Sequence, residues 1–277
     1  MMDDYEKKLA RSIRLLQSIP TDEGPVEVSY LGGKDSDVIL ELTKMAGIQY
    51  RAIYKNTTID PPGTIKHCKS KGVEILHPKK SFYQIVEEAG SPSQWYRICC
   101  STLKEYKVLE RAIQGIRRSE SVKRAKRYSE PEVCRNYDNG KAKVYYPILD
   151  WTDEDVARFI EERHIECHPL YYDENGAFHI ERRLGCIGCP LANQKERRNR
   201  FVMFPKVLKG WIQSLQQYYN THPNTKSAIM FERNACNKMF ADLFSKNMSD
   251  YITKLEPTFE GQLDTKKFLE EYFKIEL

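Results

Sequence analysis

The sequence contains no apolar run approaching the roughly 20 residues that cross a bilayer, so no membrane partner is expected. Internal repeats and low-complexity tracts are absent as well, which leaves no basis for a solenoid or a disordered tether. The opening Met1-Met2-Asp3-Asp4 has neither the basic nor the apolar region of a signal peptide, and a cytoplasmic location is the expectation. Excess charge of one sign is also missing. Lys and Arg number 44 against 39 Asp and Glu, and the resulting +5 is too small to argue by itself for a nucleic-acid partner, although it suits an anionic substrate. The 6 histidines lack metal-ligand spacing and read as structural, except that His168 and His179 border a cysteine loop. What the chain does have is 277 residues, 40% hydrophobic and 30% charged, enough for one sizeable core and an appended subdomain. Its 8 cysteines, in a reducing compartment, argue for thiols and metal ligation rather than disulfides.

The chain is organised around Val26–Leu40. An alternating run, Val26-Glu27-Val28-Ser29-Tyr30-Leu31, leads into Gly32-Gly33, then Lys34-Asp35-Ser36, then an apolar periodic segment through Leu42 and Met45. This reads as strand, tight phosphate loop and helix. Two glycines let the backbone turn N–H groups toward an anion, and the following helix offers its positive end. Lys34 adds a charge for phosphate oxygens and Ser36 a hydroxyl donor. A Walker A loop would need four residues between its first glycine and Gly-Lys-Ser/Thr, which this stretch lacks. Instead it resembles the Ser-Gly-Gly-Lys-Asp-Ser signature of the PP-loop ATP pyrophosphatases, with Leu31 in place of the first serine. A bare Gly-Gly would suit a plain strand-to-helix turn; the full Gly-Gly-Lys-Asp-Ser argues against that.

Around this stretch, residues 4–18 pattern as an amphipathic helix, Tyr50–Tyr54 and Val73–His77 as strands, and Thr64–Lys71 as a helix between them. Asn56, Thr57 and Thr58 follow the second strand directly, at the carboxyl edge where open α/β sheets bind ligands, and are candidate nucleotide contacts by position. Phe82–Ala89 reads as helical, and a further helix is expected from the cysteine pair through Ile113. Gln114–Ser121 reads as a short strand and turn, Lys123–Arg127 as a solvated basic run, and Val144–Leu149 as another strand. Thr152 is the expected cap of a helix over Asp153–Arg163. The fold class is therefore α/β, a doubly wound and mainly parallel sheet, with an α-helical C-terminal subdomain. The expected domains are 1–200, carrying the nucleotide loop and the cysteine cluster, and 201–277, helical.

Cys186 and Cys189 have the spacing of a knuckle that offers two thiolates to one centre, and the adjacent Cys99 and Cys100 are their natural partners. Four thiolates suit either a tetrahedral zinc or a [4Fe–4S] cluster. Adjacent cysteines diverge, which suits separate irons of a cubane better than one zinc; buried, unligated thiols are the third reading. Cys68, Cys134, Cys167 and Cys236 are isolated.

Taken in order, several segments look like the adenylylsulfate/phosphoadenylylsulfate reductase family, within the PP-loop superfamily, over about residues 25–195. They are the Cys99-Cys100 pair, Gly115-Ile116-Arg117-Arg118-Ser119-Glu120-Ser121, Pro147–Trp151 with Thr152-Asp153-Glu154-Asp155-Val156, Pro169-Leu170-Tyr171 and the Cys-x-x-Cys. The resemblance implies an adenine nucleotide alpha hydrolase-like fold whose Gly-Ile-Arg-Arg segment binds the anionic sulfate or phosphate end. It makes Lys34, Arg117 and Arg118 the candidate catalytic residues, and it puts a [4Fe–4S] cluster on Cys99, Cys100, Cys186 and Cys189 close to that end. It also implies a thiol reductant such as thioredoxin. Arg117 and Arg118 suit such an anion through bidentate, charge-assisted bonds.

Two departures matter. The reductases carry a nucleophilic cysteine in a C-terminal Glu-Cys-Gly-Leu-His type tail, whereas no cysteine follows Cys236 here. They also relax the phosphate-loop signature, whereas Gly32–Ser36 is intact, which favours ATP. Three functions follow. The first is a phosphoadenylylsulfate reductase in sulfur metabolism, with Cys236 or an external thiol as nucleophile. The second is an ATP pyrophosphatase that adenylylates an acceptor oxygen with Mg²⁺, the cluster holding or passing sulfur, as in nucleic-acid thiolation. The third is a non-catalytic nucleotide sensor.

Overall fold

A computed structural model describes residues 2–257 and 262–277. The chain divides into two compact units. One comprises Met1–Asn56, Pro62–His77 and Leu103–Gly185, the other Thr57–Pro61, Pro78–Thr102 and Cys186–Leu277.

The first unit holds a six-stranded sheet of β1 (Val26–Tyr30), β2 (Tyr50–Lys55), β3 (Glu74–Leu76), β4 (Arg111–Ile113), β5 (Glu132–Tyr137) and β6 (Gly140–Tyr145), in the order β3-β2-β1-β4-β6-β5. All pairs are parallel except β5 with β6, so the expected doubly wound, mainly parallel α/β class is what the chain adopts. The chain winds outward from β1 to β3, then returns to lay β4 on the other side of β1. That reversal is the topological switch point, where strand carboxyl ends leave a crevice. Val26, Val28 and Tyr30 are fully buried, and so is Glu27 on the opposite face, where the Lys55 ammonium stands 3.2 Å away. A strand buried on both faces marks a central position in an α/β sheet.

Helix Lys34–Ala46 buries Val38, Ile39, Leu40 and Leu42 and ends at Gly47, whose φ of +69° is the left-handed cap that glycine adopts at least cost. Helix Asp153–Glu162 starts as expected on Thr152, in a capping box with Asp155. The Asp155 carboxylate also accepts from the Lys8 ammonium at 2.8 Å, tying this helix to helix Asp4–Gln17. Burial raises the Asp155 pKa, but Lys8 and the Thr152 N–H outweigh it and hold the carboxyl below its ordinary value. This contribution to stability is present above the unfolded value of about 3.9 and fades as pH falls through the lower folded one. Denaturant unfolding between about pH 2 and 6 should therefore show a shallower acid loss in Asp155→Asn than in the parent; parallel curves would refute the brace.

Two expectations are corrected. The helix carrying Cys99 and Cys100 runs only over Ile98–Leu103, and Arg111–Ile113 is a strand, not the end of that helix. Residues 104–113 carry helix-like spacing, but Ala112 and Ile113 fill the central slot between β1 and β6. Long-range pairing outweighs local propensity there. The strand expected at Val144–Leu149 begins earlier, as half of a hairpin turning at Asp138-Asn139, and ends at Tyr145 before Pro147.

The second unit is helical in the described residues, with Phe82–Ala89, Gln194–Met203, Pro205–Thr221, Ala235–Phe244, Met248–Leu255 and Thr265–Phe273 as its longer helices. Trp211 is its central ring, edge-on to Phe82 at 4.5 Å and to Phe201 at 6.0 Å. Among the described residues no helix is long and apolar enough to cross a membrane.

Candidate functional site

At the carboxyl end of β1 the chain passes through Leu31, Gly32 and Gly33 into helix Lys34–Ala46. Gly32 has φ +79°, and a Cβ there would lie 2.9 Å from Thr64 Cγ2, so the loop requires glycine on both counts. Gly33 is the N-cap and supplies no side-chain acceptor to the first turn. The Lys34 N–H donates to the Tyr171 hydroxyl at 3.2 Å, and the Ser36 and Asp37 N–H groups donate to the Gly33 carbonyl. Among the described residues the N–H groups of Gly32, Gly33 and Asp35 meet no acceptor. An uncapped helix start with open amides is what an anion needs.

The side chains of the motif are more constrained than the sequence suggests. Lys34 is 5% exposed; its ammonium lies 3.4 Å from the Arg182 carbonyl, 3.7 Å from Asp35 and 5.5 Å from the centre of the Tyr171 ring. Ser36 directs its Oγ to accept the Leu31 N–H at 3.0 Å, bracing the loop from within. Asp37 is buried, accepting from the Tyr30 hydroxyl and standing 3.0 Å from His67 Nε2. Burial and the Asp37 carboxylate push the Tyr30 phenol well above its ordinary value, so it stays a donor. Sequence reasoning missed the roles of Asp37, His67 and the Tyr171 hydroxyl. Only Tyr171 had a signal, as part of Pro169-Leu170-Tyr171.

The loop after β4 crosses the switch point beside this one, and a Cβ on Gly115 would lie 2.9 Å from the Asp35 carbonyl. Arg117 is 2% exposed. Its Nε donates to Asp35 at 2.7 Å, Nη2 to Asp153 at 2.8 Å and Nη1 to the Ser119 hydroxyl at 3.0 Å. Burial alone would weaken its charge, but the two carboxylates raise its pKa instead. Arg118 donates to the carbonyls of Tyr128 and Ser129 and to Asp150. Both guanidinia are thus engaged by protein acceptors, and Arg117 clamps the first turn of helix Lys34–Ala46 to the start of helix Asp153–Glu162. Asn56, at the end of β2, donates its N–H to the Leu76 carbonyl, with its amide 3.3 Å from His77 Nδ1.

Thr57 and Thr58 belong to the helical unit. Thr58 Oγ1 accepts the Phe82 N–H at 2.8 Å, while Thr57 Oγ1 lies 3.6 Å from Cys186 Sγ. All four cysteines singled out for a metal are in this unit. The Cys189 N–H donates to the Cys186 carbonyl at 3.3 Å, closing a knuckle at whose third position Gly188 has φ +73°. Cys99 is pushed well above the ordinary thiol value, first by its hydrogen bond with Cys100, then by burial, then by Cys186 and Cys189. The two pairs therefore lie within electrostatic reach of each other, and charging one thiol opposes charging the next unless a cation compensates.

Among the described residues no three His, Cys, Asp or Glu side chains converge as ligands of one metal ion. The donor set still fits a cluster chemically: four soft thiols in one locality, one for each iron, need not converge on a point as zinc ligands do. Arg197, missed from the sequence, is 7% exposed beneath the knuckle, its Nε donating to the Gly188 carbonyl at 3.2 Å. Cys236 lies elsewhere among buried residues, and burial pushes its thiol up to about 11, a poor nucleophile near neutral pH.

Sheet and loop together define an α/β protein with an anion-ready turn at its switch point. A family model of the phosphoadenosine phosphosulfate reductase domain matches residues 25–192, and the chain belongs to that family. An uncharacterized protein of Methanocaldococcus jannaschii is 27% identical over 239 residues, covering 80% of this chain and 47% of that protein. Sulfate adenylyltransferase subunit 2 of Shewanella frigidimarina is 24% identical over 199 residues, 59% of this chain and 65% of that protein. Among solved structures, the phosphate complex of phosphoadenylyl-sulfate reductase from Candida auris aligns with a TM-score of 0.45 at 14% identity, over 67% of this chain and 96% of that one. The chain spans about half the length of the curated relatives it matches, 47%, 48% and 44% for three of them.

Proposed function

We propose that the chain is an ATP pyrophosphatase-type enzyme of sulfur metabolism that adenylylates an acceptor oxygen, with Cys99, Cys100, Cys186 and Cys189 holding a [4Fe–4S] cluster. The observation that carries this reading is the uncapped loop, whose Gly32, Gly33 and Asp35 N–H groups are open to a polyphosphate. In the reaction, the acceptor oxygen attacks the α-phosphorus of ATP and the bond to the bridging oxygen breaks. Pyrophosphate leaves with the electron pair, and AMP is joined to the acceptor. The loop amides and Lys34 would hold the β- and γ-phosphates, where charge builds as pyrophosphate departs. Mg²⁺ bound with ATP would neutralise part of that charge. The cluster would supply a place at which sulfur is held or passed.

The sulfonucleotide reductase reading draws on the family's description. It needs Arg117 and Arg118 to face the sulfate and Cys236 or an external thiol to attack sulfur. Both arginines are engaged by protein acceptors, and Cys236 is held protonated by burial. These facts favour ATP. A thiol reductant such as thioredoxin belongs to that second reading alone.

The deciding experiment is anaerobic incubation with ATP or phosphoadenylylsulfate, reading pyrophosphate and sulfite together. Pyrophosphate from ATP supports the proposal, sulfite supports the reductase, and neither product, with nucleotide bound, supports a sensor. Lys34→Ala should weaken ATP binding by roughly 10- to 100-fold, the size of a lost charged hydrogen bond, as read by calorimetry. An unchanged affinity would reduce the loop to a turn. Anaerobically purified protein should be brown, and Cys186→Ser should bleach its broad absorbance near roughly 400 nm. Colourless protein with stoichiometric zinc would refute the cluster.

A further inference from the structure

The helical unit contains a cavity of about 420 Å³, within the roughly 300–1,000 Å³ range of ligand sites. One wall is the loop before the first cysteine pair, with Gln94 and Trp95; another is the segment after the knuckle, from Pro190 to Arg197; Phe231 and Tyr251 add two rings. The Ala192 N–H donates to the Cys189 carbonyl at 3.0 Å, so this wall is continuous with the knuckle.

Trp95 is 95% exposed, whereas Trp151 and Trp211, the other tryptophans of the chain, are 1% and 0% exposed. Its presentation is built rather than accidental. Ser93 Oγ accepts the N–H groups of Trp95 and Tyr96, and the Ser93 N–H donates to the Tyr96 carbonyl at 2.9 Å, closing a tight turn that holds the indole outward. A large flat ring kept in water beside a cavity is a stacking face without its partner.

The rest of the wall says what that partner is. Gln194 is held in place by donating to the Asp242 and Ser245 carbonyls, leaving its side-chain oxygen to accept, and the Ser245 hydroxyl is buried with no partner among the described residues. Amide and hydroxyl groups of this kind read the edge of a heterocycle. Lys246 is exposed on this wall; the Asp250 carboxylate feels its charge, but none stands within ion-pair distance of its ammonium among the described residues. An aromatic platform, an edge-reading amide and hydroxyl, and a flanking cation are the combination that binds an unstacked base with an adjoining phosphate.

We propose that this cavity takes one unstacked base of a single-stranded nucleic acid, with Trp95 as its stacking face and Lys246 beside the neighbouring phosphate. The inference rests on the proposed function by naming its acceptor as a nucleobase oxygen, but the binding it asserts can be read independently of ATP.

The test uses the full chain and labelled single strands of about 12 nucleotides, DNA and RNA of the same sequence, followed by anisotropy and by tryptophan emission. Both strands should bind more tightly than duplex, the tighter of the two identifying the source, and binding should quench the emission of the exposed indole. Trp95→Ala should weaken binding about tenfold or more. Trp95→Phe should keep most of the affinity while losing the quenching. Lys246→Gln should lower the salt dependence by about one phosphate contact. Calorimetry of ATP on the same variants should be unaltered. Equal affinity of parent and Trp95→Ala, or binding of duplex with no change in emission, would overturn the site. So would a protein partner that buries Trp95 while single strands do not bind. Loss of ATP binding in the parent with strand binding intact would instead overturn the proposed function and spare the site.

Discussion

Gly188→Ala should cost about 2–5 kcal/mol and lower the melting temperature by roughly 5–15 °C. If the proposed cluster is held by Cys186 and Cys189, the iron retained per chain should fall with it. Two effects add. The backbone at φ +73° penalises any side chain by about 1–2 kcal/mol. A Cβ would also collide with Phe201 Cζ and stand 2.8 Å from Trp211 Cζ3. Both rings are fully buried, so neither can move aside without repacking, and such overpacking typically costs about 1–3 kcal/mol more. Gly176→Ala is the control, since its φ is +80° but a Cβ there meets nothing within 4 Å. It should show the backbone penalty alone. If the two variants melt alike, the knuckle is not wedged against the helical core as the geometry requires.

Arg117→Ala should destabilise the sheet unit by about 3 kcal/mol, the lower end for removing one partner of a buried ion pair. The low end is appropriate because Asp153 is 53% exposed and can rehydrate, whereas Asp35, at 19%, largely cannot. Arg117→Lys should recover only part of the loss, because one ammonium cannot reach both carboxylates and the Ser119 hydroxyl in a fixed fork. The reading is denaturant unfolding together with ATP affinity. A positioning clamp should lower both, since Asp35 is in the first turn of the phosphate-loop helix. Full stability with lost affinity would return Arg117 to the role of a direct anion ligand.

Much of the sheet was legible because its signals are local. Val26–Tyr30, Gly32-Gly33 and the caps at Thr152 and Gly47 each express a constraint within a few residues of chain. β4 was not legible. Arg111–Ile113 is three residues long, its register is set by β1 and β6, and nothing beside it in sequence marks it. The hairpin of β5 and β6 was hidden for a related reason, since Glu132–Tyr137 is an edge strand with no fully buried residue.

The amino-acid order alone determined which residues can carry chemistry: a glycine pair ahead of Lys34, two pairs of thiols, and an arginine pair after a glycine. Those choices rest on side-chain type and spacing. Tertiary structure alone decided what each is free to do. Arg117 could have faced an anion until Asp35 and Asp153 closed on it, Ser36 turned inward to Leu31, and Trp95 was left in water while Trp151 and Trp211 were buried. The reason is physical: a charged or polar group takes the nearest partner that folding delivers, and for Arg117 those partners, Asp35 and Asp153, are distant in sequence.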